Sequence, residues 1–130
     1  MEREETKLET ILKAANEGDK SAYAFLLMSN GYYNDAIKCF KEIIDEAMSK
    51  PNKKLTAAWA YDHIASCHLL QYQLVESMHA YENALELRKI ALPEGNCYTL
   101  KTIQNIDTIK TMMRFCEMLT IPVREFDGEL

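Results

Sequence analysis

The sequence predicts an all-α fold, with about six helices paired into stacked hairpins, and three observations carry that prediction. Four glycines and three prolines in 130 residues leave few places for the chain to break. Apolar residues recur at i, i+3, i+4 and i+7 from Leu8 onward, and no alternating strand pattern occurs. The third observation is internal repetition. Ala36 and Phe40 return as Ser77 and Tyr81, an offset of 41 residues (77 − 36), and the same offset pairs Tyr23 with Ile64 and Ala24 with Ala65. A further offset of 42 takes Ile64 to Ile106. Periods of this size mark helical hairpins that bury their apolar faces only by stacking.

The elements follow in order. Leu8, Ile11, Leu12 and Ala15 form one stripe of a helix expected from about Arg3 to before Gly18, which reads as a cap (1–17) with a charged outer face. Asp19 or Ser21 caps a second helix reaching about Asn30, with Tyr23, Leu26 and Leu27 inward. Asn30-Gly31 is a turn, and Gly31 suits a left-handed residue. The third helix, Tyr33 to about Ser49, buries Ala36, Ile37, Phe40, Ile43, Ile44 and Ala47, completing a unit at 19–50. Pro51-Asn52-Lys53-Lys54 breaks the chain. Helices from about Leu55 to Leu70 and from Leu74 to Ala91 form a second unit (54–91), antiparallel because the link at 71–73 is short. Leu92-Pro93-Glu94-Gly95 ends it. A sixth helix carries Leu100, Ile103, Ile106, Ile109, Met113 and Cys116 (97–119) and stops before Pro122, leaving a tail (120–130).

Composition excludes several classes. The formal charge is −5 and no basic block stands out, so the electrostatic term that dominates nucleic-acid binding is missing. No apolar run approaches the ~18 residues of a membrane span. Cys39, Cys67, Cys97 and Cys116 form no CxxC pair, and no signal peptide precedes them; they read as free thiols, small core residues of a cytoplasmic protein. His63, Cys67 and His68 are the one metal-like group, yet nothing near them supplies the four ligands of a structural zinc. Neither GxSxG nor a phosphate-binding glycine loop occurs, and no paired carboxylates share a plausible pocket. The expectation is a protein that is not an enzyme and holds no metal or cofactor.

The stretch Gly31-Tyr32-Tyr33-Asn34-Asp35-Ala36-Ile37-Lys38-Cys39-Phe40 resembles the turn and second helix of a tetratricopeptide repeat, and Ala80-Tyr81-Glu82-Asn83-Ala84-Leu85-Glu86-Leu87-Arg88 resembles its end. The long spacing, with Leu92-Pro93-Glu94, Thr99-Leu100 and Asn105-Ile106, is similar to the repeats of kinesin light chains. The resemblance covers about Lys20 to Met113. It departs where the first unit lacks a tryptophan-like opening residue and where Asp107 replaces Ala24 and Ala65. Its implied fold is a right-handed α-solenoid whose first helices line a concave groove for a partner protein's peptide.

Carried across, the groove positions are Ser21, Ala22, Phe25 and Met28, then Trp59, Asp62, His63, Ser66 and Leu70, then Lys101, Gln104, Asn105 and Thr108. Asn105 matches the asparagine with which such repeats hold a peptide backbone; an amide both donates and accepts. Phe25 and Trp59 have two readings, groove rings or core. Ala22 and Phe25 occupy clamp-like places, which argues against a chaperone C-terminus as ligand. On the sixth helix Met112, Phe115 and Leu119 form a second apolar stripe. Either Ile121, Val123 and Phe126 fold back on it, or it serves self-association. The functional expectation is an adaptor that binds a peptide segment, with assembly through the C-terminal helix and tail as the alternative. No membrane or nucleic-acid partner is expected, and the chain is a monomer or a homodimer.

Overall fold

The structure, a computed structural model, describes residues 6–129, with side chains for 6–119 apart from Lys7 and Ala14. Six helices follow one another: α1 (Lys7–Asn16), α2 (Lys20–Ser29), α3 (Tyr33–Met48), α4 (Lys54–Leu70), α5 (Leu74–Ala91) and α6 (Cys97–Glu129). No strand occurs among the described residues. The helix starts have local causes. Thr6 and Glu9 form a capping box on α1, and the Asp19 carboxylate accepts from the Ala22 N–H at 3.0 Å to cap α2.

The principal contacts run between consecutive helices: α1 on α2, α2 on α3, α3 on α4, α4 on α5 and α5 on α6. The closest pairing is α4 with α5, and it is antiparallel. Ser77, near the start of α5, donates to the Ala65 carbonyl late in α4 at 2.8 Å, while Arg88, near the end of α5, reaches back to Asp62. The core is small-residue rich. Ala24, Ala36, Ala57, Ala58, Ala60, Ala65, Ala84 and Ser77 are fully buried, with Phe40 the one large ring sealed completely. Small residues let helix axes approach, and Phe40, Ile44, Ile64, Leu87 and Ile109 fill what remains.

The turns repeat with the sequence. After α2, the Tyr32 N–H donates to the Leu27 carbonyl at 2.9 Å and the Gly31 N–H to the Met28 carbonyl at 3.1 Å. After α4, Gln73 donates to His68 at 2.9 Å and Tyr72 to Leu69 at 3.0 Å. Each bond recurs 41 residues on (Gly31 to Tyr72), and both pairs are Schellman motifs. The left-handed residue is Gly31 in the first (φ +88°) and Tyr72 in the second (φ +61°).

Three expectations need correction. The α1 stripe is not buried as a unit: Ile11 is, but Leu8, Leu12 and Ala15 are exposed, because the principal packing of α1 is on α2. Of the cysteines only Cys67 is core; Cys39 is half-buried, and Cys97 and Cys116 are exposed on α6, whose principal packing is against α5. Pro122 does not end α6, whose backbone stays helical to Glu129. Proline removes one hydrogen bond but its fixed φ is itself helical, so it weakens a helix without forcing a turn. Ile121, Val123 and Phe126 thus lie on a continuing helix rather than a returning tail; their side chains fall outside the described residues.

The paired turns give a backbone test. No atom lies within 4 Å of a Cβ built on Gly31, so only its φ opposes substitution. Gly31→Ala should cost about 1 kcal/mol in urea denaturation. Tyr72→Gly, which relieves the same strain at an exposed position, should raise stability by up to about 1 kcal/mol. A loss on Tyr72→Gly would show that the tyrosine ring has a structural role.

Candidate functional site

Three of the residues expected in the groove come together on the face shared by α2 and α4. The His63 imidazole meets the Trp59 indole edge-on with centroids 4.5 Å apart, and Phe25 of α2 edge-on at 5.8 Å. Beneath them Phe40 of α3 stacks on His63 at 5.2 Å, the planes 13° apart, and meets Trp59 edge-on at 5.7 Å. Edge-to-face and offset contacts of this kind favour the pair beyond burial alone. The two readings of Phe25 and Trp59 divide by depth. Trp59 is half-buried against the core, while Phe25 is 45% exposed and forms the outer lip.

The spacing explains the cluster. Trp59 and His63 are one turn apart on α4, so their side chains stack along one face. Phe40 follows the small Ala36 by one turn on α3 and reaches under them. Burial pulls the His63 imidazole below its ordinary pKa, with neighbouring Asp62 opposing the shift.

Asp62 plays a different part from the one expected. Its carboxylate receives a two-pronged contact from Arg88 of α5, Nη1 to Oδ1 at 2.9 Å and Nη2 to Oδ2. The same Nη1 donates to the Thr102 hydroxyl of α6 at 2.7 Å, and Thr102 donates to the Tyr98 carbonyl at 2.8 Å. Arg88 is nearly sealed, its side chain 9% exposed against 28% for Asp62. The network joins three helices, and bidentate geometry is where an arginine gives its strongest pairing. Sequence reasoning missed it. The available signal was Arg88 sitting directly after Leu87 on the inward face of α5, where a surface arginine has no place.

The remaining positions are scattered. Met28 and Ser66 are half-buried, and Ser66 donates to the Asp62 carbonyl at 3.1 Å. Lys101, Gln104 and Thr108 are exposed on α6 beside half-buried Asn105. Met112, Phe115 and Leu119 are exposed further along the same helix. Two clefts open elsewhere. One, of about 450 Å3, lies between α3 and α5 over Tyr61 and Ile64; the other, also about 450 Å3, is lined by Asp19, Lys20, Glu46 and Lys53 among others.

The Cys67 thiol is pushed up to about 11 by burial, and Cys39 is raised as well by burial with Glu42 and Asp35 adding to it, so neither is a thiolate near neutral pH. His68 is engaged by Gln73 at 2.6 Å, His63 by the rings, and among the described residues no group of three His, Cys, Asp or Glu side chains is placed to hold a metal. No family model, curated protein or solved structure matches this chain.

Two tests follow from the site. Arg88→Ala leaves Asp62 and Thr102 without their partner in a partly sealed place, and should cost about 3 kcal/mol in chemical denaturation; Arg88→Met with Asp62→Leu should recover most of it. If Arg88→Ala costs under about 1 kcal/mol, the pair behaves as a surface bridge. His63 gives a pH dependence. Its folded pKa lies below the unfolded value of 6.5, so the unfolded chain binds the proton more readily. Its contribution is complete above pH 6.5 and is lost as pH falls through the lower folded value. His63→Phe should flatten the loss of stability between pH 7 and pH 5; an unchanged slope would remove His63 as its source.

Proposed function

We propose that this chain is a tetratricopeptide-like interaction module that binds a peptide segment of a partner protein on the face of α2, α4 and α6. The observation that carries the reading is the ring cluster of exposed Phe25 with half-buried Trp59 and His63, set on a scaffold whose turns repeat at an offset of 41 residues. Aromatic side chains on rigid helices are the usual anchors of recognition, since they bury large area with few torsions to freeze. In this reading α2–α3 and α4–α5 are successive hairpins of a right-handed stack, α1 is its cap and α6 is a half unit. Asn105 then serves the peptide backbone while the rings take an apolar side chain.

In this reading the module is a cytoplasmic adaptor with no reaction of its own, and its free cysteines are compatible with a reducing compartment. Asp62 is a support here. Held by Arg88, it fixes α4 against α5 and α6 and so keeps the binding face rigid.

A peptide library displayed on phage and panned against the full chain tests the reading. Selected peptides should carry an aromatic or aliphatic anchor. Phe25→Ala and Asn105→Ala should each weaken them roughly tenfold or more, with helicity by circular dichroism unchanged. No enrichment, or peptides indifferent to both substitutions, would sink the proposal.

A further inference from the structure

The sixth helix outruns its support. Beyond Met113 its described side chains are all exposed, and besides Arg114 and Glu117 they are apolar or cysteine: Phe115 is 60% exposed, with Met112, Met118 and Leu119 also open to solvent. At about 100° per residue these four and Cys116 fall within an arc of roughly 160°, and Arg114 lies just past Met118 on one edge, with Lys110 beyond it. An apolar arc of that width is what a helix shows to a groove, and a helix with no neighbour on that side gains little stability from its own hydrogen bonds in water.

A groove of fitting shape lies on the same chain. Two adjoining clefts, of about 450 and 320 Å3, share Tyr61 and Asn83 and run between α3 and α5 with α4 as the floor. From Glu76 to Ile90 the trough is roughly 20 Å long at 1.5 Å per residue, long enough for a four-turn helix. Its floor is the buried Ile44, Ile64 and Ala80, and exposed apolar groups come from Met48 and Ile90. Lys41, Asp45 and Lys54 lie on the opposite side, and the α5 lip carries Glu76 and Glu86 with His79 and Asn83 between them. The α6 edge, with Lys110 and Arg114 against the single Glu117, is net positive where the α5 lip of Glu76 and Glu86 is negative, and an apolar arc flanked by charge is the recognised mode of helix-in-groove binding.

We infer that the α6 overhang of one copy seats in the α3/α5 groove of a second copy, and the reverse, giving a two-fold symmetric dimer with two identical contacts. The exchange is reciprocal because each chain carries both halves, and an isologous arrangement closes at two. Each seat covers Met112, Phe115 and Leu119 of one chain with Ile64, Ala80 and Ile90 of the other, and aligns Arg114 with the acidic α5 lip. The ring platform takes no part, so this inference stands or falls apart from peptide binding.

Light scattering on the full chain reads the outcome. The wild-type chain should show twice the 15.0 kDa mass. Phe115→Asp and Ile90→Asp change side chains exposed in the single chain, so both should fold, and each alone should give a monomer. Mixed together they should regain a dimer of weaker affinity, because one intact helix still meets one intact groove. Glu86→Lys should weaken the dimer, and adding Lys110→Glu with Arg114→Glu should restore it. A monomeric wild-type chain would overturn the inference. So would a dimer broken by Phe115→Asp but untouched by Ile90→Asp, which means that α6 pairs with its own copy. A mass that climbs with concentration without a plateau would also overturn it, because that means head-to-tail growth through the exposed Leu8 and Leu12 of α1.

Discussion

The fold depends on how closely α4 and α5 approach, and that closeness is set where Ser77 donates to the Ala65 carbonyl. A side chain reaches a helical backbone on a neighbouring helix only if nothing larger than a methyl group intervenes. Ser77 and Ala65 are both fully buried, as are Ala36 and Ala24 at the corresponding positions of α3 and α2. Around each contact the larger residues settle to either side. Phe40 and Tyr81, one turn after Ala36 and Ser77, are buried in consequence. A bulky residue at any of the four would push the helix axes apart and lift the rings off their neighbours.

The same approach makes α4 the hub of the molecule. It has α3 on one side and α5 on the other, and it is nearly all alanine where it meets them. Its remaining faces carry the interactions with character: Trp59 and His63 toward Phe25 and Phe40, and Asp62 toward Arg88. An arginine brought this far inside stays charged, so the structure must supply a carboxylate and further acceptors. Asp62 and the Thr102 hydroxyl do so, which ties the start of α6 to the middle of α4 through a residue of α5.

Helix positions were legible because they rest on local rules. Periodicity located α2, α3, α4 and α5 to within a residue or two; α1 starts later than expected and α6 runs ten residues further. Asn30-Gly31 and the short link at 71–73 marked turns the structure contains. The exposure of Leu8, Leu12 and Ala15, the exposure of Cys97 and Cys116 and the run of α6 past Pro122 were not legible, because each depends on whether a neighbouring helix is there to cover or turn the chain. Asp107 gave the hint. It stands where Ala24 and Ala65 are sealed, and it is exposed. A charged residue at that position fits a helix with nothing packed beyond it.

For the binding face, residue types were visible in advance and their partnerships were not. That Trp59 and His63 share a helix face follows from their one-turn spacing on α4, and Phe25 was placed beside them by the tetratricopeptide resemblance. That Asp62 is committed to Arg88, 26 residues away, follows from no pattern of spacing. By itself the sequence determined the number, type and turn chemistry of the helices, since hydrogen bonding along one helix and the φ of one residue are short-range matters. The tertiary structure alone decided which apolar stripes are covered, which charges are paired and which helix is left protruding. Those outcomes are set by the distance between residues that the chain separates, and only packing fixes that distance.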